Sequence, residues 1–280
     1  ANFNLSKVND AIRIYRDLIC EDPSNLNNEY NLGLSLAAAG SFREAWPLVE
    51  NRFKLGKERE QYDRFSIFPM WYGKDTCRLA LWQEQGVGDI IFFASTFNDV
   101  LRVCSDVTVY LDERLIELFE VSFPKISFKA KDAVLSVTDF DAQLPVGNLL
   151  GIFRNELNDF PSFGNSFMKA FEKSKINLEK LLKKNSKLKC GIAWYTSADE
   201  RSDCPDSRGI DLKKLAQAFD GLDIDLINLQ YPVDHDKNSS VPKSLKKKVL
   251  TVPGIDLRDD FSSTAALVDS CDLIVTIDNT

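Results

Sequence analysis

The chain has 280 residues, of which 44% are hydrophobic and 28% are charged, an ordinary globular balance. This composition excludes a disordered, collagen-like or low-complexity protein. The net charge of −7 disfavours a role in nucleic-acid or membrane-surface binding, because such a surface repels phosphates. No apolar run is long enough to cross a bilayer, and the first residues do not have the pattern of a secretory signal.

Cysteine and histidine usage restricts the chemistry further. Six cysteines are scattered along the chain without a CxxC pair, and His235 is its one histidine. Cysteines inside apolar runs behave as small hydrophobic residues, so we expect reduced thiols and a cytoplasmic protein. A single histidine gives little support to a zinc site or a Ser-His-Asp triad. We interpret His235 as a surface loop residue, and we expect no metal or other cofactor.

The first predicted elements are helices with a 34-residue period, the spacing from Ala11 to Ala45. The small residues Gly33 and Ala45 are expected where two helices approach closely. Residues 1–60 therefore resemble the last one and a half repeats of a tetratricopeptide array, although two unrelated amphipathic helices would also give part of this pattern. About three repeats are normally needed for independent stability. We expect this segment to pack against the chain that follows it, or to have lost upstream repeats.

After residue 62 the pattern changes to short apolar runs that alternate with helical stretches. This alternation predicts an α/β body in which parallel strands are covered by helices. In its first part, the predicted strands or sheet edges are residues 78–82, 107–112, 126–130, 133–138 and 140–145.

A basic helical stretch, residues 173–189, is expected to connect this part to a second one, in which the pattern restarts. The second part has predicted strands at residues 190–195, 224–231, 249–254 and 272–278. Because the chain stops just after the last of these strands, we expect its last domain to be incomplete.

The segment EQGVGD, residues 84–89, is the densest candidate site and lies between a predicted strand and a helix. Gly86 and Gly88 would let the backbone turn tightly and approach a ligand, beside the N–H groups of a helix start. The third glycine of a dinucleotide fingerprint is absent, so a Rossmann oxidoreductase is weakly supported. The Asp89 carboxylate could accept a proton from a hydroxyl, or it could simply cap the helix.

A second candidate site follows the predicted strand 190–195. Thr196 and Ser197 lie in the loop after it, and Arg208 lies downstream. Hydroxyl groups and one arginine could hold a diphosphate by charge-assisted hydrogen bonds. A solvated polar loop would explain the same residues equally well.

Three further polar residues stand at the ends of other predicted strands, which is where open α/β sheets bind their ligands. They are Gln230, Asp278 and Asn279. Each could bind a ribose, a base or a sugar, and each could equally cap a helix. Asp223 and Asp225 lie far from any glycine-rich loop, which argues against a metal-binding DxD motif.

The order of these motifs resembles the bacterial tetratricopeptide-repeat glycosyltransferases related to glycosyltransferase family 9, the ADP-heptose:lipopolysaccharide heptosyltransferases. The most specific stretches are WQEQGVGD and the tail DFSSTAALVDSCDLIVTIDNT, and the resemblance covers nearly the whole chain. It implies a GT-B fold, in which two Rossmann-like domains face each other across a cleft. It also implies metal-independent, inverting transfer of a sugar from a nucleotide-sugar donor to an acceptor hydroxyl.

On this resemblance the chain has four parts. They are helical repeats in 1–62, an acceptor-side Rossmann-like domain in 63–172, the connector 173–189, and a partial nucleotide-sugar domain in 190–280. The donor is expected to be ADP- or UDP-linked. The acceptor is a saccharide, a lipid-linked saccharide or a protein, and the repeats offer a groove for a peptide partner.

The resemblance also assigns roles to individual residues. It makes Asp89 the general base, and it makes Thr196, Ser197 and Arg208 ligands of the donor phosphates. Asp278 and Asn279 match the start of the family's nucleotide-sugar motif. The His-Leu-Ala-Gly-Ala stretch that normally continues this motif is absent, so we expect the 280-residue chain to bind its donor poorly and to be inactive by itself. The alternative is a non-catalytic scaffold, in which the repeats bind a partner and the α/β body is degenerate.

Overall fold

The chain divides into two compact units in the computed structural model. The first unit comprises Ala1–Ile116 and Phe123–Phe167, and the second comprises Glu117–Ser122 and Met168–Thr280. The residues that the structure describes are 7–56, 59–74, 77–161, 166–172, 174, 178, 182, 187–195, 209–232 and 248–277.

The first unit begins with helices joined by short turns. In chain order they are α1 (Val8–Glu21), α2 (Leu26–Ala38), α3 (Phe42–Val49), α4 (Arg52–Leu55) and α5 (Arg59–Phe65). The side chain of Asn25 caps the start of α2 by accepting the N–H of Asn27 at 3.1 Å. Gly40 follows α2 with a φ of 82°, a conformation that favours glycine over other residues.

Close packing of α2 against α3 is confirmed at the two small residues predicted from the sequence. A Cβ atom on Gly33 would lie 3.0 Å from both the Leu48 Cβ and the Val49 backbone nitrogen, which is tighter than ordinary packing. Ala45 is fully buried in the same cluster as Leu36. Small side chains therefore set the distance between the two helices.

Replacing Gly33 with valine should lower the free energy of unfolding by about 1–3 kcal/mol, because the added methyl groups overpack this contact. Ala38→Val is the matched control, since Ala38 is the exposed last residue of α2 and tolerates the same change. Urea unfolding followed by tryptophan fluorescence measures both variants. Equal stability of Gly33→Val and the unmodified protein would contradict the close approach.

A four-stranded parallel sheet follows the helices in the first unit. Its strands are β1 (Arg78–Trp82), β2 (Asp106–Leu111), β3 (Ser127–Ala130) and β4 (Ala142–Pro145), and their spatial order is β3-β2-β1-β4. The helices of the first unit along this part of the chain are α6 (Val87–Phe93), α7 (Phe97–Val103) and α9 (Leu149–Phe153). Helix α8 (Ile116–Ser122) belongs to the second unit from Glu117 onward. Strands predicted at these four places are thus present, with bounds that differ by a few residues.

The strand predicted over residues 133–138 is wrong. The Ala133 N–H bonds to the Ala130 carbonyl, which makes a turn directly after β3, and the Asp139 N–H bonds to the Ser136 carbonyl in a second turn. Val134 is 89% exposed, whereas Ala133 and Leu135 pack against the buried core of the first unit. Ala133 and Leu135 are therefore partly buried without forming a strand.

Aromatic side chains fill the core on one face of the first sheet. Phe65, from α5, stacks on Trp82 of β1 with ring centroids 5.3 Å apart and an interplanar angle of 3°. The Trp82 indole N–H donates to the Gln143 side chain at 2.6 Å, so its one polar atom is satisfied inside the core. The buried cluster comprises Phe53, Phe65, Phe68, Ala80, Trp82, Tyr110 and Phe140. The helical segment thus shares a core with this sheet.

The second unit contains another parallel sheet. Its strands are β5 (Leu188–Ile192), β6 (Ile224–Asn228), β7 (Val249–Leu250) and β8 (Leu273–Val275), in the spatial order β7-β6-β5-β8. Two helices of this unit are α10 (Leu212–Ala218) and α11 (Phe261–Asp269). The Asp260 carboxylate caps α11 by accepting the Ser263 N–H at 2.9 Å.

Both sheets have the same strand order when each is numbered from its own first strand, namely third, second, first, fourth. This is the order at the start of a doubly wound nucleotide-binding sheet. The strand order reverses at the first strand, because the second and third strands lie on one side of it and the fourth lies on the other. The predicted α/β class is therefore confirmed as two parallel four-stranded sheets accompanied by helices. Within the described ranges, no helix is long and apolar enough to span a bilayer.

Candidate functional site

The reversal point of the first sheet is where β1 and β4 lie side by side, and ligands of such sheets bind at the carboxyl ends of these strands. Glu84 follows β1 there, and Gly147 and Asn148 follow β4. The Gly147 N–H donates to Glu84 Oε1 at 3.1 Å. A Cβ atom on Gly147 would lie 2.5 Å from that same oxygen, so glycine is required for this approach.

Arg52 of the helical segment reaches into this point. Its Nη2 lies 2.9 Å from Glu84 Oε1 and 2.6 Å from Asn148 Oδ1. The Arg52 side chain is 5% exposed and that of Glu84 is 0% exposed, so this is a buried ion pair. The guanidinium also stacks over the Phe53 ring at 4.1 Å. The reversal point of the first sheet is thus occupied by an arginine of the same chain.

The ion pair leaves two buried polar atoms without partners in the described structure, namely Arg52 Nε and Glu84 Oε2. Burial raises the pKa of Glu84 above its ordinary value, whereas the charge of Arg52 and the hydrogen bonds to the carboxylate act in the opposite direction. The pair is therefore strongly coupled, and either charge would be costly to leave alone.

Asp89 lies in the first turn of α6, two residues after its start. Its Oδ2 accepts the N–H of Gly86 at 3.0 Å, so the carboxylate caps the helix from within the first turn. Partial burial of this carboxyl raises the pKa of Asp89, and the Gly86 N–H lowers it to a smaller extent. The structure thus supports the capping alternative, and it leaves a solvent-accessible carboxylate of increased basicity.

The two glycines of this segment do not adopt the left-handed conformation. Gly86 has a φ of −66° and precedes α6, and Gly88 lies within its first turn. Neither glycine is among those with positive φ. Neither glycine is therefore required for a left-handed turn. At Gly86 a Cβ atom would instead meet Asp89 Oδ2 at 3.2 Å, which is a tight contact.

Gln230 organises the loop after β5 in the second unit. Its Oε1 accepts the N–H groups of Trp194 (3.1 Å) and Tyr195 (2.8 Å). Its Nε2 donates to the carbonyls of Tyr195 (2.8 Å) and Tyr231 (2.9 Å). These four bonds use the full capacity of a buried amide, so Gln230 positions backbone and has no donor or acceptor left for a ligand.

The remaining predicted ligands lie outside the described residues. They are Thr196, Ser197, Arg208, Asp278 and Asn279. His235 also lies outside the described residues. Most of the predicted connector helix, residues 173–189, is likewise outside the described residues. Among the residues that are described, no three metal-ligating side chains are grouped so that they could hold an ion.

A groove in the first unit consists of two pockets of about 450 and 480 Å³. Both are lined by Pro47, Glu50, Met70 and Asn148. Aromatic side chains at the two ends of the groove are Trp46, Phe53, Tyr62, Trp71 and Tyr72. Pockets of this size with aromatic walls and a few polar groups are typical of binding sites. Asp89 does not line either pocket.

The backbone of Met70 lies at the edge of a strand pairing beside this groove. The segment around it pairs with β4, with the Trp71 N–H donating to the Gln143 carbonyl and the Gln143 N–H donating to the Pro69 carbonyl, both at 2.9 Å. In a parallel pairing of this kind, the N–H and C=O of Met70 point away from β4. They have no hydrogen bond to any other described residue. An exposed edge of this kind can accept an added strand.

The sequence patterns did not indicate Arg52 or Asn148 as parts of the site at the carboxyl ends of β1 and β4, and they assigned no role to Glu84. Glu84 is a carboxylate two residues after the apolar strand β1, and a carboxylate that is buried there needs a partner. Its partner lies 32 residues earlier in the chain, so no local spacing could indicate it. Only the packing of the helical segment on the sheet brings the two side chains together.

No family model matches the chain, and no solved structure matches it. Protein FlbA of Caulobacter vibrioides is 26% identical to the chain over 267 residues, an alignment that covers 87% of this chain and 44% of that protein. The chain thus spans less than half the length of this curated relative.

Proposed function

We propose that the chain is part of a glycosyltransferase with two Rossmann-like units, which transfers a sugar from a nucleotide-sugar donor to an acceptor hydroxyl by inverting displacement. The observation that supports this proposal is the identical strand order of the two parallel sheets. A single sheet of this order is common to many nucleotide-binding proteins. Two in succession, together with the motifs of residues 84–89 and 260–280, fit the GT-B architecture that the sequence resembles.

In this proposal Asp89 is the general base. It removes the proton of the acceptor hydroxyl as that oxygen attacks the anomeric carbon, and the nucleotide leaves from the opposite face with the electron pair of the broken glycosidic bond. Two features of Asp89 support the role: its exposed position and a pKa raised by partial burial. Its Oδ2 is held by the Gly86 N–H, which fixes the direction of the carboxylate.

The donor is proposed to bind to the second unit. Thr196, Ser197 and Arg208 would hold its phosphates, and Asp278 and Asn279 would contribute to the nucleotide-sugar site. Gln230 supports such a site indirectly, because it fixes the backbone of Trp194 and Tyr195 immediately before Thr196. The first sheet is less suited to a nucleotide, since Arg52 and Glu84 occupy its reversal point.

Calorimetric titration with ADP and with UDP tests this proposal on the whole protein and on the 280-residue chain. We expect one of the two nucleotides to bind the whole protein, the chain to bind it more weakly, and Arg208→Ala to weaken binding because a charge-assisted contact to phosphate is lost. Arg43→Ala is the control, because Arg43 is an exposed arginine of the first unit paired with Glu156. Failure of both nucleotides to bind the whole protein would contradict the proposal.

The second candidate function is that of a non-catalytic binding protein. The groove lined by Glu50, Met70 and Asn148, with the open backbone edge at Met70, favours it. The helical segment, which we propose to be tetratricopeptide-like, forms one wall through Pro47 and Trp46. A whole protein that binds no nucleotide, and whose binding of extended peptides is lost on Met70→Pro, would favour this function over transfer.

A further inference from the structure

Two cysteines of the first unit lie in contact although they are 27 positions apart. The Sγ atoms of Cys77 and Cys104 are 3.9 Å apart. The Cys77 N–H points to Cys104 Sγ at 3.4 Å, and the Cys104 thiol donates to the Cys77 carbonyl. Both are thiols in this structure. We propose that this pair is an oxidation site, at which a hydroperoxide converts the two thiols into a reversible disulfide.

The separation of the sulfur atoms suits this reaction. A disulfide has a sulfur–sulfur distance of about 2.05 Å, so the two atoms must approach by about 2 Å. A change between staggered rotamers moves a cysteine sulfur by a comparable distance. The existing contacts of the Cys77 backbone with Cys104 Sγ already hold the two residues together, so the bond requires little backbone movement.

The difference in exposure between the two residues assigns their roles. Cys77 is partly exposed, whereas Cys104 is fully buried. The hydroperoxide therefore reaches Cys77 first and oxidises its thiol to a sulfenic acid, with release of the corresponding alcohol or water. Cys104 then attacks the Cys77 sulfur, the sulfur–oxygen bond breaks, and water leaves as the disulfide forms. Overall, two thiols lose two hydrogens and one hydroperoxide is reduced.

The position of the pair gives the bond a structural consequence. Cys77 immediately precedes β1, and Cys104 immediately follows α7. The disulfide would therefore close a loop that contains β1, the EQGVGD segment with Asp89, and both helices α6 and α7. Closing a loop of this length restricts the unfolded chain and so stabilises the folded one. The bond would join the start of β1 to the end of α7, whereas Glu84 lies beyond the other end of β1.

Peroxide treatment of the folded chain tests the proposal without any substitution. After limited exposure to hydrogen peroxide, remaining thiols are blocked with N-ethylmaleimide, and the digested protein is examined by mass spectrometry. We expect a cross-linked peptide pair that contains Cys77 and Cys104, with a loss of two hydrogens that dithiothreitol reverses. The exposed Cys20 serves as the internal measure of peroxide dose. We also expect the oxidised protein to unfold at a temperature several degrees higher.

Two variants locate the first step. In Cys104→Ser, we expect the Cys77 sulfenic acid to persist and to be trapped by dimedone, whereas in Cys77→Ser, we expect Cys104 to stay reduced because it is buried. Recovery of both cysteines as maleimide adducts, at a dose that oxidises Cys20, would overturn the proposal. Cross-linking of Cys77 to any other cysteine in the folded chain would overturn it equally.

Discussion

Replacing Arg52 with methionine is expected to lower the free energy of unfolding by about 3–5 kcal/mol, because it leaves the Glu84 carboxylate buried without a counter-charge. The Glu84 side chain has no exposed surface, and its Oε2 already lacks a hydrogen-bond partner in the described structure. Asn148 would also lose the donor at 2.6 Å. Urea unfolding at neutral pH measures the effect.

An exposed ion pair is the matched control, because it shows how much stability is lost when an arginine charge is removed without burial. Arg43 also pairs with a glutamate, Glu156, at 3.1 Å, but both side chains are mostly exposed. We expect Arg43→Met to cost at most about 1 kcal/mol, as exposed ion pairs contribute little. Similar losses for Arg43→Met and Arg52→Met would contradict the assignment of Arg52 and Glu84 as a buried, coupled pair.

The double variant Arg52→Met/Glu84→Gln tests the coupling directly. Glutamine is neutral and can still accept the Gly147 N–H, so this variant removes the unpaired charge and keeps one contact. We expect its loss of stability to be smaller than the sum of the two single losses by about 1–3 kcal/mol. Additive losses would show that the two side chains act independently.

The pH dependence of Arg52→Met follows from the same carboxyl. Burial already raises the pKa of Glu84, and removal of Arg52 takes away the largest influence in the opposite direction, so its pKa in the folded variant rises further. Below that raised pKa the folded variant binds a proton that the unfolded chain does not, until the ordinary pKa of 4.5 is reached. The stability deficit should therefore be full at high pH and shrink as the pH falls through this interval.

Replacing Asp89 with asparagine should reduce glycosyl transfer by the whole protein by about 10²–10⁴-fold, the usual effect of a lost general base. Asparagine keeps an oxygen that can accept the Gly86 N–H, so the cap of α6 is retained. We therefore expect little change in the free energy of unfolding. Turnover with a candidate donor and acceptor, together with urea unfolding of the same variant, measures both effects.

Asp89→Ala distinguishes catalysis from capping. It removes both the base and the cap, so we expect the same loss of turnover with an additional loss of stability of about 0.5–2 kcal/mol. Burial raises the pKa of Asp89, so activity of the unmodified protein should decline on the acid side at a higher pH than an ordinary aspartate would give. If Asp89→Asn retains full turnover, Asp89 is a helix cap and no more.

The sequence predicted local features of this chain well. The apolar runs of β1 and β2 and the small residues at Gly33 and Ala45 indicated strands and close helix packing, and both are present. These features depend on neighbours along the chain or on a helical period, which a sequence displays directly. The segment 133–138 misled because its composition is mostly apolar, as in a strand, yet it forms turns in which Val134 is exposed. Nothing in its own composition indicated that β3 had already ended.

The candidate site depended more on tertiary structure. The sequence by itself placed a carboxylate-rich, glycine-containing segment after β1, because polar residues that follow a buried strand must lie at a sheet edge. Only the folded chain decided that Glu84 pairs with Arg52 and that all four bonds of Gln230 are used within the protein. Arg52 lies 32 residues from Glu84, and Trp194 and Tyr195 lie 36 and 35 residues from Gln230. Pattern and propensity describe the local chain, whereas a buried charge selects its partner from whatever the packed elements bring within hydrogen-bonding distance.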